Sequence, residues 1–123
     1  IIYSCVKKQV PFVLTGSIRD DGPMPEVIGD AYAGQRAMRQ LVKKSTCVIC
    51  LATMLHTIAT GNMTPSFRVL PGGEIRPVYL YTVDADEFVV NKLLDRGSLS
   101  ATTIVTNVQD FITIVAKGLG VID

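Results

Sequence analysis

The residues best suited to chemistry lie close together near the start of the chain. Thr15, Gly16, Ser17, Arg19, Asp20 and Asp21 follow the apolar run Phe12-Val13-Leu14 and precede Gly22-Pro23. Gly16 and Ser17 can bring backbone N–H groups near a phosphate, as turns that open onto helices do. Arg19 can grip a carboxylate with two parallel hydrogen bonds. Asp20 and Asp21 are adjacent, so a regular strand would point them to opposite sides. In a loop, one can meet a substrate amine while the other caps the turn or pairs with Arg19. A solvated Asp-Asp-Gly-Pro turn accounts for the same residues without any ligand.

Three further polar groups stand just past apolar runs: Ala52-Thr53, Asp84, and Thr106-Asn107. In an open parallel sheet such positions share one rim, where ligands bind, and a carboxylate there can accept hydrogen bonds from ribose hydroxyls. The competing reading is that they are helix caps, because Ser, Thr, Asp and Asn are the preferred capping residues. His56 is the only histidine. It is a general acid/base candidate near neutral pH, or a hydrogen-bonded structural residue on an apolar helix. Thr60-Gly61-Asn62 resembles a helix terminus that could hold a ligand. Neither G-x-G-x-x-G nor G-x-x-x-x-G-K-[ST] is present, so neither standard phosphate fingerprint applies. Cys47 and Cys50 have CxxC spacing inside an apparent strand rather than at a helix N-terminus, and read as core thiols. Only Cys5 and His56 remain as further zinc ligands, so no metal site is expected.

The elements that must position these groups alternate along the chain. Four short runs, 12–14, 47–51, 78–83 and 102–106, are continuous and rich in β-branched or aromatic residues, as buried parallel strands are. Between them lie helical patterns. Met38, Leu41 and Val42 share a face of a helix over about 30–44. Val89, Val90, Leu93 and Leu94 form a stripe that Asp86 can cap and Gly97 can end. Phe111, Ile114, Val115 and Leu119 form another, stopped by Gly118 and Gly120. Residues 1–9 read as the end of a further helix, and 64–77, rich in Pro and Gly, as a surface loop or lid. Repeated β-α units predict an α/β fold: three layers, a mostly parallel sheet with helices on both faces.

The 123 residues are 48% hydrophobic and 19% charged with a net charge of +1. That composition excludes disorder and supplies no strong field for nucleic acid or an acidic membrane. No apolar run reaches the roughly 20 residues that span a bilayer. Three cysteines with no secretory signal read as reduced thiols in a cytoplasmic protein. Ile1-Ile2-Tyr3 looks like the inside of an element already under way, so 1–123 is expected to be a single domain within a longer polypeptide.

Four blocks carry a family resemblance: Thr15-Gly16-Ser17-Ile18-Arg19-Asp20-Asp21-Gly22-Pro23, Met54-Leu55-His56-Thr57-Ile58-Ala59-Thr60-Gly61-Asn62-Met63, Val90-Asn91-Lys92-Leu93-Leu94-Asp95-Arg96-Gly97-Ser98, and Val105-Thr106-Asn107-Val108. Together they resemble the C-terminal region of the lysine-oxoglutarate reductase/saccharopine dehydrogenase (LOR/SDH) bifunctional-domain family. That family includes the archaeal-type ornithine cyclodeaminases and the C-terminal part of cyanobacterial arginine dihydrolase fusions. The resemblance implies a Rossmann-like NAD-binding domain similar in layout to deoxyhypusine synthase, in a homo-oligomer whose further region precedes Ile1. It implies conversion of L-ornithine to L-proline and ammonia through transient hydride transfer to bound NAD. On that reading Thr15, Gly16, Ser17, Asn62, Asp84 and Asn107 hold the cofactor, Arg19 binds substrate, and Asp20, Asp21 and His56 handle protons or contact substrate. An NAD-dependent amino-acid dehydrogenase, a deoxyhypusine synthase-like transferase and a non-catalytic nucleotide-binding module are the alternatives.

Overall fold

A computed structural model describes residues 1–17, 19–94 and 101–123. The chain divides into two compact units, Ile1–Leu41 and Val42–Asp123.

The second unit is built on a three-stranded parallel sheet. β1 (Cys47–Leu51) and β5 (Ala101–Val105) flank β4 (Tyr79–Asp84) in the order β1-β4-β5. Leu51 lies opposite Val83, and Asp84 opposite Val105, so the three strands finish along one edge. β4 is covered on both sides, and Leu80, Thr82 and Val83 are all buried along it. This is the continuous burial expected of a central parallel strand.

Parallel neighbours need crossovers. From β1 the chain passes through α3 (Met54–Met63) and a hairpin of β2 (Phe67–Val69) and β3 (Ile75–Pro77) before reaching β4; α4 (Glu87–Leu94) then leads to β5. α3 and α4 touch each other, and α4 packs on β4 and β5. Right-handed crossovers proceeding in one direction place both helices on one face. α4 buries Val90, with 1% of its surface exposed. α5 (Val108–Gly118) follows β5 and packs on β4.

Several expectations needed correction here. The lid over 64–77 is the β2–β3 hairpin, closed by Leu70 N–H donating to the Glu74 carbonyl at 2.8 Å. Its three-residue strands are too short to show a period. The stripe on α5 is not a core face: Ile114 and Leu119 are exposed. Cys47 is exposed and only Cys50 belongs to the core, because residues three apart on a strand face opposite ways. The expected stop at Gly97 lies outside the described residues.

The first unit carries α1 (Ile2–Lys7) and all but the last residue of α2 (Ala31–Val42). Asp30 caps α2 through its side chain, accepting from the Ala33 N–H at 2.6 Å. Residues 12–14 do not form a sheet strand. They lead into a single parallel bridge between Thr15 and Ile28. Two bonds make it, Ile28 N–H to the Leu14 carbonyl at 2.9 Å and Gly16 N–H to the Ile28 carbonyl at 3.0 Å. Glu26, two residues before Ile28, has a φ of 59° and so leaves the extended conformation that a longer ladder needs, and the Ser17 N–H is committed to the Asp20 carbonyl.

Candidate functional site

In the second unit the polar groups at the carboxyl edge come from three strands. Ala52 leaves β1 in a left-handed conformation, φ 52°, and donates its N–H to the Val83 carbonyl at 2.9 Å. Thr53 then opens α3, but its hydroxyl makes no capping bond. Its carbonyl accepts instead from the Thr57 hydroxyl, which also hydrogen-bonds the Cys50 thiol. Burial pushes that thiol's pKa up, and the bond to Thr57 opposes the shift. The first-turn amides of α3 therefore have no side-chain cap from Thr53. His56 is exposed in that same turn.

Asp84 ends β4 half-buried. Its Oδ1 accepts from the Asp86 N–H at 2.9 Å, and Asp86 Oδ1 in turn accepts from the Phe88 N–H at 2.9 Å. Asn107 caps α5, accepting from the Gln109 N–H at 2.8 Å. The capping reading holds for Asp86 and Asn107, and the strand ends that carry these groups share one edge. One oxygen of Asp84 and the amide NH2 of Asn107 remain outside the caps. Asn62 stands elsewhere, in the last turn of α3, at the end remote from the strand edge.

In the first unit, the loop after the Thr15–Ile28 bridge is tied by its own side chains. Ser17 Oγ donates to the Asp20 carbonyl at 3.0 Å and accepts from the N–H groups of Arg19 and Asp20 at 3.1 and 3.2 Å. Ser17 N–H also donates to the Asp20 carbonyl, at 2.8 Å. Asp20 Oδ1 accepts from the Gly22 N–H at 2.9 Å. The N–H groups of Gly16 and Ser17, expected to approach a phosphate, are both spent on carbonyls, because the bridge and the turn need them.

Asp21 differs from its neighbour. Its carboxylate makes no hydrogen bond or ion pair among the described residues, and neither does the Arg19 side chain; the ion pair that the described residues do form, Arg76–Glu74 at 3.5 Å, lies in the β2–β3 hairpin of the second unit. The Asp21 oxygens lie against Gly16 and Gly29. A Cβ on Gly16 would stand 2.3 Å from Oδ1, and one on Gly29 would stand 2.7 Å from Oδ2. A shallow recess of 230 Å³ lined by Phe12, Val13, Leu14, Glu26 and Ile28 lies in the same unit. It is smaller than the roughly 300–1,000 Å³ usual for small-molecule sites.

Sequence reasoning placed Ala52 at the strand end without its backbone conformation, and gave no role to Thr57 or Gly29. Nothing in the type of Ala52 signals a positive φ, since alanine does not favour it. Thr57 looks like any helix threonine until Cys50 is placed beneath it. Gly29 could have been suspected from its place just ahead of the α2 cap, but its role depends on Asp21 arriving from a distant point in the loop.

Comparison with known proteins adds an independent line. A family model described as arginine dihydrolase ArgZ-like, C-terminal, Rossmann fold, matches residues 1–115, across both compact units. An ornithine cyclodeaminase of Methanothermobacter thermautotrophicus is 50% identical over 114 residues, covering 93% of this chain and 25% of that protein. Another, from Methanocaldococcus jannaschii, is 44% identical over 119 residues, covering 97% and 26%. Among solved structures, a LOR/SDH protein of Methanococcus maripaludis superposes with a TM-score of 0.82 at 42% identity, over 98% of this chain and 33% of that one. AgrE, solved as a ternary complex with ornithine and NAD+, superposes with a TM-score of 0.78 at 38% identity, over 98% and 16%. The chain spans about a quarter of the length of the curated ornithine cyclodeaminases it matches.

Proposed function

The chain belongs to the family of ArgZ-like arginine dihydrolase C-terminal Rossmann domains, and from that membership we propose that it is the NAD-binding part of an ornithine cyclodeaminase. The reaction is conversion of L-ornithine to L-proline and ammonia. The observation that carries the proposal is the likeness, at 38% identity over nearly the whole chain, to a protein caught with both ornithine and NAD+.

The residues at the carboxyl edge fit a dinucleotide. Asp84 keeps one oxygen for ribose hydroxyls while Asp86 fixes the other. The first turn of α3 offers amides that Thr53 does not cap, and such amides favour a pyrophosphate. When bound, NAD supplies a hydride acceptor that also returns the hydride. The chain's own groups then have separate tasks. The first turn of α3 holds negative charge, Asp84 orients the ribose, and the exposed imidazole of His56 moves protons. Arg19, which has no acidic partner in the described structure, binds the substrate carboxylate.

The test uses the polypeptide as encoded, incubated with L-ornithine and a catalytic amount of NAD. Proline and ammonia form with no net NADH. Accumulating NADH identifies an amino-acid dehydrogenase instead, and a protein that retains no nucleotide contradicts the assignment.

A further inference from the structure

Building on the ornithine reading above, we propose that Asp21 is the carboxylate that receives an ammonium group of the amino-acid substrate, and that Gly16 and Gly29 form the notch that places it. The two adjacent aspartates are chemically alike but the fold treats them differently. Asp20 is part of the turn: its carbonyl accepts from both the N–H and the hydroxyl of Ser17, and its Oδ1 accepts from the Gly22 N–H. Asp21 has no such duty.

An ordinary exposed aspartate swings freely among rotamers. Asp21 lies in the space that two side chains would otherwise fill. Its Oδ1 is 2.3 Å from where a Cβ of Gly16 would be and 3.0 Å from that of Gly29, and Oδ2 is 2.7 Å from the latter. Real atoms do not approach so closely, so the notch exists only because both positions are glycine. Gly16 is in turn anchored through its N–H to the Ile28 carbonyl at 3.0 Å, immediately before Gly29. The bridge therefore fixes both walls, and the walls restrict the carboxylate.

A carboxylate accepts hydrogen bonds through about four lone-pair sites. The glycine methylenes offer no conventional donor, and no described residue supplies one. Asp21 is exposed, so water meets these sites in the free protein, and an external cation with N–H donors can take the place of that water. A divalent metal fits poorly because it asks for several oxygen ligands, and the described residues bring no three His, Cys, Asp or Glu together. An ammonium, with three donors on one centre, is the complement. Arg19, two positions earlier and paired with neither aspartate, leaves its guanidinium for the carboxylate of the same amino acid.

The experiment measures, on the encoded polypeptide saturated with NAD, calorimetric affinity for three ligands. They are L-ornithine, 5-aminopentanoate (which lacks the α-amine) and L-norvaline (which lacks the δ-amine). Asp21→Asn weakens ornithine binding roughly 10- to 100-fold, the size of one charge-assisted hydrogen bond. It weakens only one of the two analogues, the one that keeps the ammonium read by Asp21, and leaves NAD affinity and Tm unchanged. Gly29→Ala, which forces the carboxylate out of the notch, reproduces that selective loss. Asp20→Asn keeps the turn acceptor and keeps the discrimination between analogues. Ornithine affinity unchanged by Asp21→Asn, or equal losses for both analogues, overturns the assignment while leaving the enzyme reading intact. A parent protein that binds NAD but no ornithine takes down both.

Discussion

Replacing Gly16 by alanine puts the notch to a test that needs no ligand. The new methyl carbon would lie 2.3 Å from Asp21 Oδ1 and 3.3 Å from the Asp21 Cα. A comfortable carbon–oxygen contact is about an ångström longer, so the Asp21 side chain must move. Gly16 itself cannot retreat without breaking its bond to the Ile28 carbonyl. Overpacking in a core costs about 1–3 kcal/mol; the Asp21 carboxylate is exposed and can rotate away, so the low end, about 1 kcal/mol, applies here. Gly16 has no left-handed φ, so alanine also gains about 0.4–1 kcal/mol by restricting the unfolded chain. The net expectation for Gly16→Ala alone is a loss of no more than about 0.6 kcal/mol. Asp21→Ala removes an exposed side chain with no hydrogen bond and should change stability by no more than about 0.5 kcal/mol. In the double variant most of the clash is gone and only the backbone gain remains. Urea denaturation of the four proteins in a double-mutant cycle should give a coupling energy of about 1 kcal/mol. If Gly16→Ala costs the same with and without the Asp21 side chain, the carboxylate does not occupy the notch and the placement argument fails.

Four other outcomes follow from the geometry. Asn107→Ala removes the acceptor for the Gln109 N–H and should cost about 1 kcal/mol in chemical denaturation, whereas Asn107→Asp should not. Val90→Ala opens a cavity at a residue that α4 buries, and a loss of about 2 kcal/mol is expected from the lost methyls and the cavity. Because burial raises the Cys50 pKa, the folded state resists ionising a thiol that the unfolded chain ionises near its ordinary value. The contribution is complete below that value and fades as pH climbs past it toward the folded-state pKa. The urea midpoint of the parent protein should therefore fall between pH 8 and pH 10 more than that of Cys50→Ser. Asp84→Ala should weaken retention of NAD by the encoded polypeptide, and retention equal to the parent's would remove Asp84 from the cofactor site.

What could be seen in the sequence was whatever depends on near neighbours. Cys47–Leu51, Tyr79–Asp84 and Ala101–Val105 declare themselves as strands because each is a continuous apolar or β-branched run in a buried parallel sheet. Asn107 is legible as a helix cap by type and place, one of the two readings its position allows. The apolar run at 12–14 misled because it has the composition of a strand but only Ile28 for a partner. The hairpin hid because its cross-strand pairs, Phe67 with Pro77 and Val69 with Ile75, are short-lived along the chain and interrupted by Pro71-Gly72-Gly73. In the loop after the Thr15–Ile28 bridge, the difference between Asp20 and Asp21 is set by which one finds Gly22 and which one reaches Gly29. Adjacent residues of one type carry no such information.

The β2–β3 hairpin is spliced into the crossover between β1 and β4 without joining the main sheet. It is held at its base by Val78 N–H to the Ser66 carbonyl at 3.0 Å and by Arg68 Nη1 to the Lys44 carbonyl at 2.5 Å. Its tip, Gly72 and Gly73, carries no contact that the core depends on and turns with φ of 101° and 85°. For protein engineering this makes the tip a splice point. An affinity tag or fluorescent reporter inserted between Gly72 and Gly73 would lengthen only the hairpin, leaving the β1-β4-β5 register and both polar clusters undisturbed.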